Sequence, residues 1–125
     1  MNLLKETIEC IKDSGHTPED IHFIGSESTG HRCTWEEFKV LADREYASGF
    51  GASEVATDLI IVFKGGQKMW RGEYDGSEWW EYSSHFAEPG ETFPISSLFA
   101  ADVGGVGWLS LGEIAGNVTE DEIVD

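Results

Sequence analysis

The residues with chemical potential are few and loosely spaced. His31 and Cys33 stand one residue apart in HRC, and His22 and His85 are the histidines that would complete a set with them. An imidazole and a thiolate are zinc ligands, but zinc sites carry two paired ligand clusters and His-x-Cys supplies one. The same pair has the composition of a nucleophile with its base. Only Arg32 and a helix beginning at Thr34 stand ready to lower the thiol pKa. The plain alternative is a polar loop histidine and a structural thiol. Glu73, Glu78 and Glu81 surround Trp79-Trp80, and glycosidases place carboxylates and aromatics together in this way. On a surface hairpin the same residues are ordinary decoration, and 125 residues is short for that activity. Gly104, Gly105 and Gly107 do not form GxGxxG and have no lysine for a phosphate. Asn117-Val118-Thr119 matches a glycosylation acceptor but has no secretory signal to go with it. No catalytic residue, metal ligand or cofactor is therefore assigned. A small hydrolase or metal-binding enzyme using His31, Cys33 and His85 stays as an alternative.

Charge is the dominant global property. The chain holds 24 acids and 8 bases, a net −16. Residues 1–57 carry 11 acids and 5 bases, residues 58–82 carry 5 and 3, and residues 83–125 carry 8 and none. Arg71 is the last cation. Such a surface repels nucleic acid and anionic membranes and steers toward basic partners. No apolar run approaches the length of a membrane span. MNLLKETIE lacks the basic-then-apolar pattern of a signal peptide, so a cytoplasmic chain with Cys10 and Cys33 reduced is expected.

These residues are positioned by a stretch that reads as a three-stranded antiparallel meander, about 59–63, 67–74 and 77–82. Gly65-Gly66 and Asp75-Gly76 are two-residue turn signals of type I′. Two such turns set the register: Ile61 opposite Trp70, Gly72 opposite Trp79, Arg71 opposite Trp80. Alternation then puts Leu59, Ile61, Phe63, Trp70, Tyr74 and Trp79 on the core face. Trp79 is expected to cover Gly72, and Arg71 to lie over Trp80 and pair with Glu73 or Glu78. The second face would carry Ile60, Val62, Met69 and Tyr82, open to a partner or covered by Phe93, Ile95, Leu98, Phe99 and Trp108.

Two helices pack the sheet, about 2–14 and 34–48. The first has a Leu4–Ile8–Ile11 stripe beside Leu3, with Cys10 on its flank. The second opens on a Thr34/Glu37 capping box and buries Phe38, Leu41, Ala42 and Tyr46, with Trp35 on its edge. Residues 20–24 form a short strand with Ile21 and Phe23 on one face, and 25–33 a polar loop. Ala52–Ala56 reads as a helical turn, Phe93–Ile95 as an extended piece, and Ser97–Ala101 as another helical turn. Val106–Leu111 alternates as a strand in the glycine-rich C-terminal segment. The fold class is α+β, one domain over 1–118, with 119–125 (TEDEIVD) an acidic, frayed tail.

The stretch Thr34 to Tyr82, TWEEF…LADREY…GFG…VATDLIIVF…YDGSEWWEY, resembles small proteins carried by phages and other mobile elements. In character the chain is similar to anti-CRISPR and anti-restriction proteins. That resemblance implies a non-enzymatic inhibitor of a basic protein, such as a CRISPR effector or nuclease, whose carboxylates act as a nucleic-acid mimic. It carries over no residue. The partner-binding residues expected from the hairpin itself are Glu73, Asp75, Glu78, Trp80, Glu81 and Tyr82, where aromatics meet acid. An immunity protein for a nuclease toxin is the other binding alternative.

Overall fold

The computed structural model describes residues 1–47, 52–74, 77–83, 90–105 and 107–116. Helix α1 (Leu3–Asp13) starts at Asn2, whose side chain accepts from Lys5 N. Its buried stripe is Leu3, Thr7 and Ile11, while Ile8 is 44% exposed. The predicted stripe was thus rotated by one position, because the inward polar residue Thr7 has a partner there. Helix α2 (Trp35–Ala42) has the expected capping box and buries Phe38 and Ala42. It ends well before 48. At Asp43 the chain makes a tight turn, Arg44 N to Ala42 O, and then runs extended beside the start of α1. Leu3 N donates to Arg44 O and Tyr46 N to Met1 O, so tertiary pairing overrides helix propensity. Tyr46 is buried, as expected, but from this extended segment.

The strands are β1 (Ile21–Gly25), β2 (His31–Cys33), β3 (Ile60–Phe63), β4 (Lys68–Tyr74), β5 (Ser77–Ser83) and β6 (Phe93–Pro94), in the spatial order β5-β4-β3-β1-β2-β6. All neighbours are antiparallel except β2 and β6, so the sheet is mixed and the class is α+β. Part of the expected polar loop 25–33 is therefore strand. The β4–β5 register is as predicted, with Arg71 opposite Trp80 and Gly72 opposite Trp79. A Cβ on Gly72 would lie 2.7 Å from Trp79 Nε1, so the indole does cover this glycine.

The β3–β4 register is not as predicted. Ile60, not Ile61, faces Trp70, and Ile61 faces Met69. The turn has three residues rather than two. Gly66 N donates to Phe63 O, Phe63 N to Gln67 O, and only Gly66 takes positive φ, +93°. This is the turn-plus-bulge alternative that a Gly-Gly pair permits equally well. One residue of slip exchanges the faces. Met69, Arg71, Glu78 and Trp80 point into the core with Leu59, Ile61 and Phe63, while Trp70, Tyr74 and Trp79 point out. A bulge in β1 separates Ile21, opposite Phe63, from Phe23, opposite Val62, so these two lie on opposite faces as well. Phe23, Ile60 and Val62 form a small outer cluster, with the Arg32 guanidinium 4.7 Å above the Phe23 ring.

The inner face is covered by α1, α2 and the chain after β6. Leu98 and Phe99 are buried in the same core cluster as Met69 and Trp80, whereas Phe93 and Trp108 stay 38% and 55% exposed. Residues 52–56 are extended, not helical, and Val55 bridges to Phe99. A short 3₁₀ turn spans Ala100–Val103. The strand predicted over 106–111 is absent among its described residues. Gly107 and Trp108 both take positive φ, and a Cβ on Gly107 would meet Ala52 Cβ at 2.3 Å. Ser110 and Glu113 then form a capping box that opens helix α3 (Leu111–Ile114).

The turn assignment is testable at its two glycines. Gly66→Ala is expected to cost about 1–2 kcal/mol in urea unfolding, the cost of a left-handed L-residue. Gly65→Ala, which meets only the flexible end of Gln67, costs less. Equal losses would indicate a two-residue I′ turn.

Candidate functional site

The polar centre of the molecule is Arg71. Its side chain is 3% exposed. Nη2 donates to Glu78 Oε1 at 3.0 Å and to the Tyr46 hydroxyl at 3.0 Å, and Nη1 lies 3.5 Å from Glu6 Oε2. The guanidinium sits 5.0 Å from the Trp80 ring centroid and 5.7 Å from that of Tyr46. Tyr46 donates to Glu6 Oε1 at 2.5 Å. Glu78 accepts from the backbone N–H of Glu54 at 2.6 Å and of Val55 at 3.2 Å. Trp80 Nε1 donates to Thr7 Oγ1 at 2.9 Å, and Thr7 Oγ1 in turn donates to Leu3 O at 2.7 Å. Burial pushes the Tyr46 phenol well above the ordinary tyrosine range, and the Glu6 hydrogen bond adds to this against the opposing pull of Arg71.

This network disposes of two residues expected at the surface. Glu78 is 4% and Trp80 8% exposed, so both hold the interior together and neither offers its side chain to a partner. Glu73 is exposed, Tyr82 is 43% exposed, and Glu81 is half-buried on the outer face, accepting from Trp79 Nε1. Asp75 lies outside the described residues. Glu73 and Glu78 do face each other across β4 and β5, but Glu78 is consumed by Arg71 and two amides, and Glu81 is on the opposite face.

The His31/Cys33 pair is interior. His31 is 2% exposed, its Nδ1 lies 3.0 Å from Thr29 Oγ1, and desolvation lowers its pKa. Cys33 is buried, and burial, with Glu37 nearby, pushes its thiol up to about 12. Among the described residues no three His, Cys, Asp or Glu side chains converge on one point. His22 is exposed on the β1 bulge, and His85 lies outside the described residues.

Two surface features remain. On the outer face, Trp70 is 37% exposed beside a cleft of about 460 Å³ walled by Ser26, Asp58 and the Lys68–Glu27 ion pair. The second feature lies along β5. Glu6 meets Arg71 beside Glu78, Thr7 meets Trp80, and His16, just past α1, bonds the Tyr82 hydroxyl at 3.0 Å. Helix α1 therefore runs along β5 in the same direction. Between them is a groove of about 510 Å³, with Trp79 and Trp80 on the strand side and Glu6, Glu9, Cys10 and Asp13 on the helix side. These four helix positions are spaced i, i+3, i+4, i+7, one stripe next to the buried one. Burial raises the Cys10 pKa; Asp13 and Glu6 raise it further, Arg71 opposes them, and Glu81 adds a smaller push. Glu6, Glu9 and Asp13 thus line the helix side of the groove. Lys5 and the N-terminal amine stand at its mouth, and Glu45 holds the amine at 3.0 Å. Hairpin reasoning missed this stripe because it depends on which strand α1 lies beside.

Comparison with protein-family models, with curated proteins and with solved structures finds no match to this chain. What the fold itself defines is an α+β domain on a mixed six-stranded sheet. Among the described residues no helix is long and apolar enough to cross a membrane.

The thiols provide a check on the burial. In the folded chain at pH 8, Cys10 is expected to react slowly with a disulfide reagent and Cys33 not at all until denaturant is added. Rapid reaction of both thiols in native buffer would contradict the placement of Cys33.

Proposed function

We propose that this protein is a non-enzymatic acidic inhibitor that binds a basic, nucleic-acid-handling protein, of the CRISPR-effector or nuclease kind, with its carboxylates occupying positions meant for phosphates. The observation that carries the reading is the acidic stripe of α1, Glu6, Glu9 and Asp13, lining a groove beside β5 on a chain of net −16. Four of the eight cations do not offset it at the surface. Arg71 is buried, and Lys39, Arg44 and Lys68 are held by Glu36, Asp102 and Glu27. A surface of one sign accelerates encounter with the opposite sign and rejects nucleic acid itself. Trp79 at the groove supplies the kind of aromatic that anchors protein interfaces.

Binding to a purified basic nuclease or CRISPR effector at low and high salt tests this. Affinity is expected to fall by about tenfold or more as salt rises. Reversal of Glu9, Asp13, Glu73 and Glu81 to lysine is expected to abolish it without unfolding the chain. Tight, salt-insensitive binding that survives the reversal would contradict the proposal.

A further inference from the structure

The two edges of the sheet are built differently. The β6 edge is two residues long and contains Pro94, which has no N–H to offer. Such an edge is blunt. The β5 edge is seven residues long, and its register with β4 is continuous from Lys68–Ser83 to Tyr74–Ser77. It contains no proline, no lysine and no bulge, three of the devices that guard edges; the inward-pointing Glu78 is one of another kind. Among the described residues nothing pairs with its outer side. The acidic groove runs along that same edge.

We infer that β5 accepts an extended, basic segment of the partner as a seventh strand, with alternate lysine or arginine side chains directed at the acidic stripe of α1. This rests on the binding role proposed above and specifies how the partner is held. Side chains on one face of an added strand recur about every 6.7 Å. Glu6 to Asp13 covers about 10 Å of helix. Two cations at i and i+2 therefore fall within reach of the stripe. Intervening side chains point to the outer face, toward Trp79 and Glu81. Main-chain hydrogen bonds supply affinity and the alternate cations supply selectivity, as in other strand additions. A second copy of this chain is disfavoured at the same edge, because pairing would bring two −16 molecules together with acid facing acid.

The test uses the full chain, isotope-labelled, and a capped eight-residue peptide alternating lysine and valine. Binding is expected to shift resonances of residues 77–83 and 5–13 and to slow amide exchange in β5. N-methylation of every peptide amide keeps the charge but removes strand pairing, and is expected to weaken binding by about tenfold or more. Glu9→Lys with Asp13→Lys is expected to do the same while helix content, read by circular dichroism, is unchanged. Equal binding of the N-methylated peptide, with shifts spread over the acidic surface, overturns strand addition but leaves the acidic-binder reading intact. Shifts confined to Trp70 and its cleft overturn the location. Concentration-dependent self-association through β5 overturns the choice of occupant. If a basic protein binds and the peptide does not, strand addition falls alone. If neither binds, both readings fall.

Discussion

Everything in this fold is arranged around one buried cation. Taking the Arg71 guanidinium out of water is expensive, and its attraction to Glu78 and Glu6 repays that cost only when the remaining donors and acceptors are satisfied. Most of them are. Tyr46 takes one hydrogen bond, and Glu78 receives two amides from residues 54 and 55. Arg71 Nε and Nη1 lack hydrogen-bond partners, Nη1 facing Glu6 at 3.5 Å, which fits a group placed for specificity rather than for maximal stability. The network joins β4, β5, α1, the segment at Tyr46 and the segment at Val55. All of these contacts fail together if Arg71 faces outward.

That dependence explains the strand register. Gly65-Gly66 is compatible with a two-residue turn and with a three-residue turn containing a bulge. The first puts Arg71 and Glu78 in solvent and Trp70 with Tyr74 inside. The second buries Met69 and pairs Arg71. Hydrophobicity alone favours the first, which is why sequence reasoning prefers it. The partners that make the second work, Glu6, Thr7 and Tyr46, come from residues 20 or more positions away. Local contacts were legible: Trp79 over Gly72 and Arg71 beside Trp80 in the β4–β5 hairpin, and the Thr34/Glu37 cap of α2. Where a local signal competed with another, the weaker-looking one sometimes won. Alternation over 106–111 reads as a strand, yet Ser110 and Glu113 are spaced as a capping box, and the helix forms there.

The site was legible only in part. The acid and the hairpin aromatics are evident in the sequence, but half of the expected binding side chains turn out to be scaffold or lie outside the described residues. Glu78 and Trp80 are interior because they serve Arg71. In their place stands the flank of α1, whose acids look like a solvated helix face until the helix is laid along β5. The same network that buries Glu78 fixes α1 there. Scaffold and proposed binding surface are therefore linked: the ion cluster sets the groove, and the groove borders the β5 edge of the sheet.

The central claim is that Arg71 and Glu78 act as a unit that holds this arrangement. A double-mutant cycle in urea unfolding, using Arg71→Met, Glu78→Gln and the pair, tests it most directly. The account predicts a coupling of about 2 kcal/mol or more, because each single change leaves the other group buried without its main partner. Additivity within about 0.5 kcal/mol would contradict it.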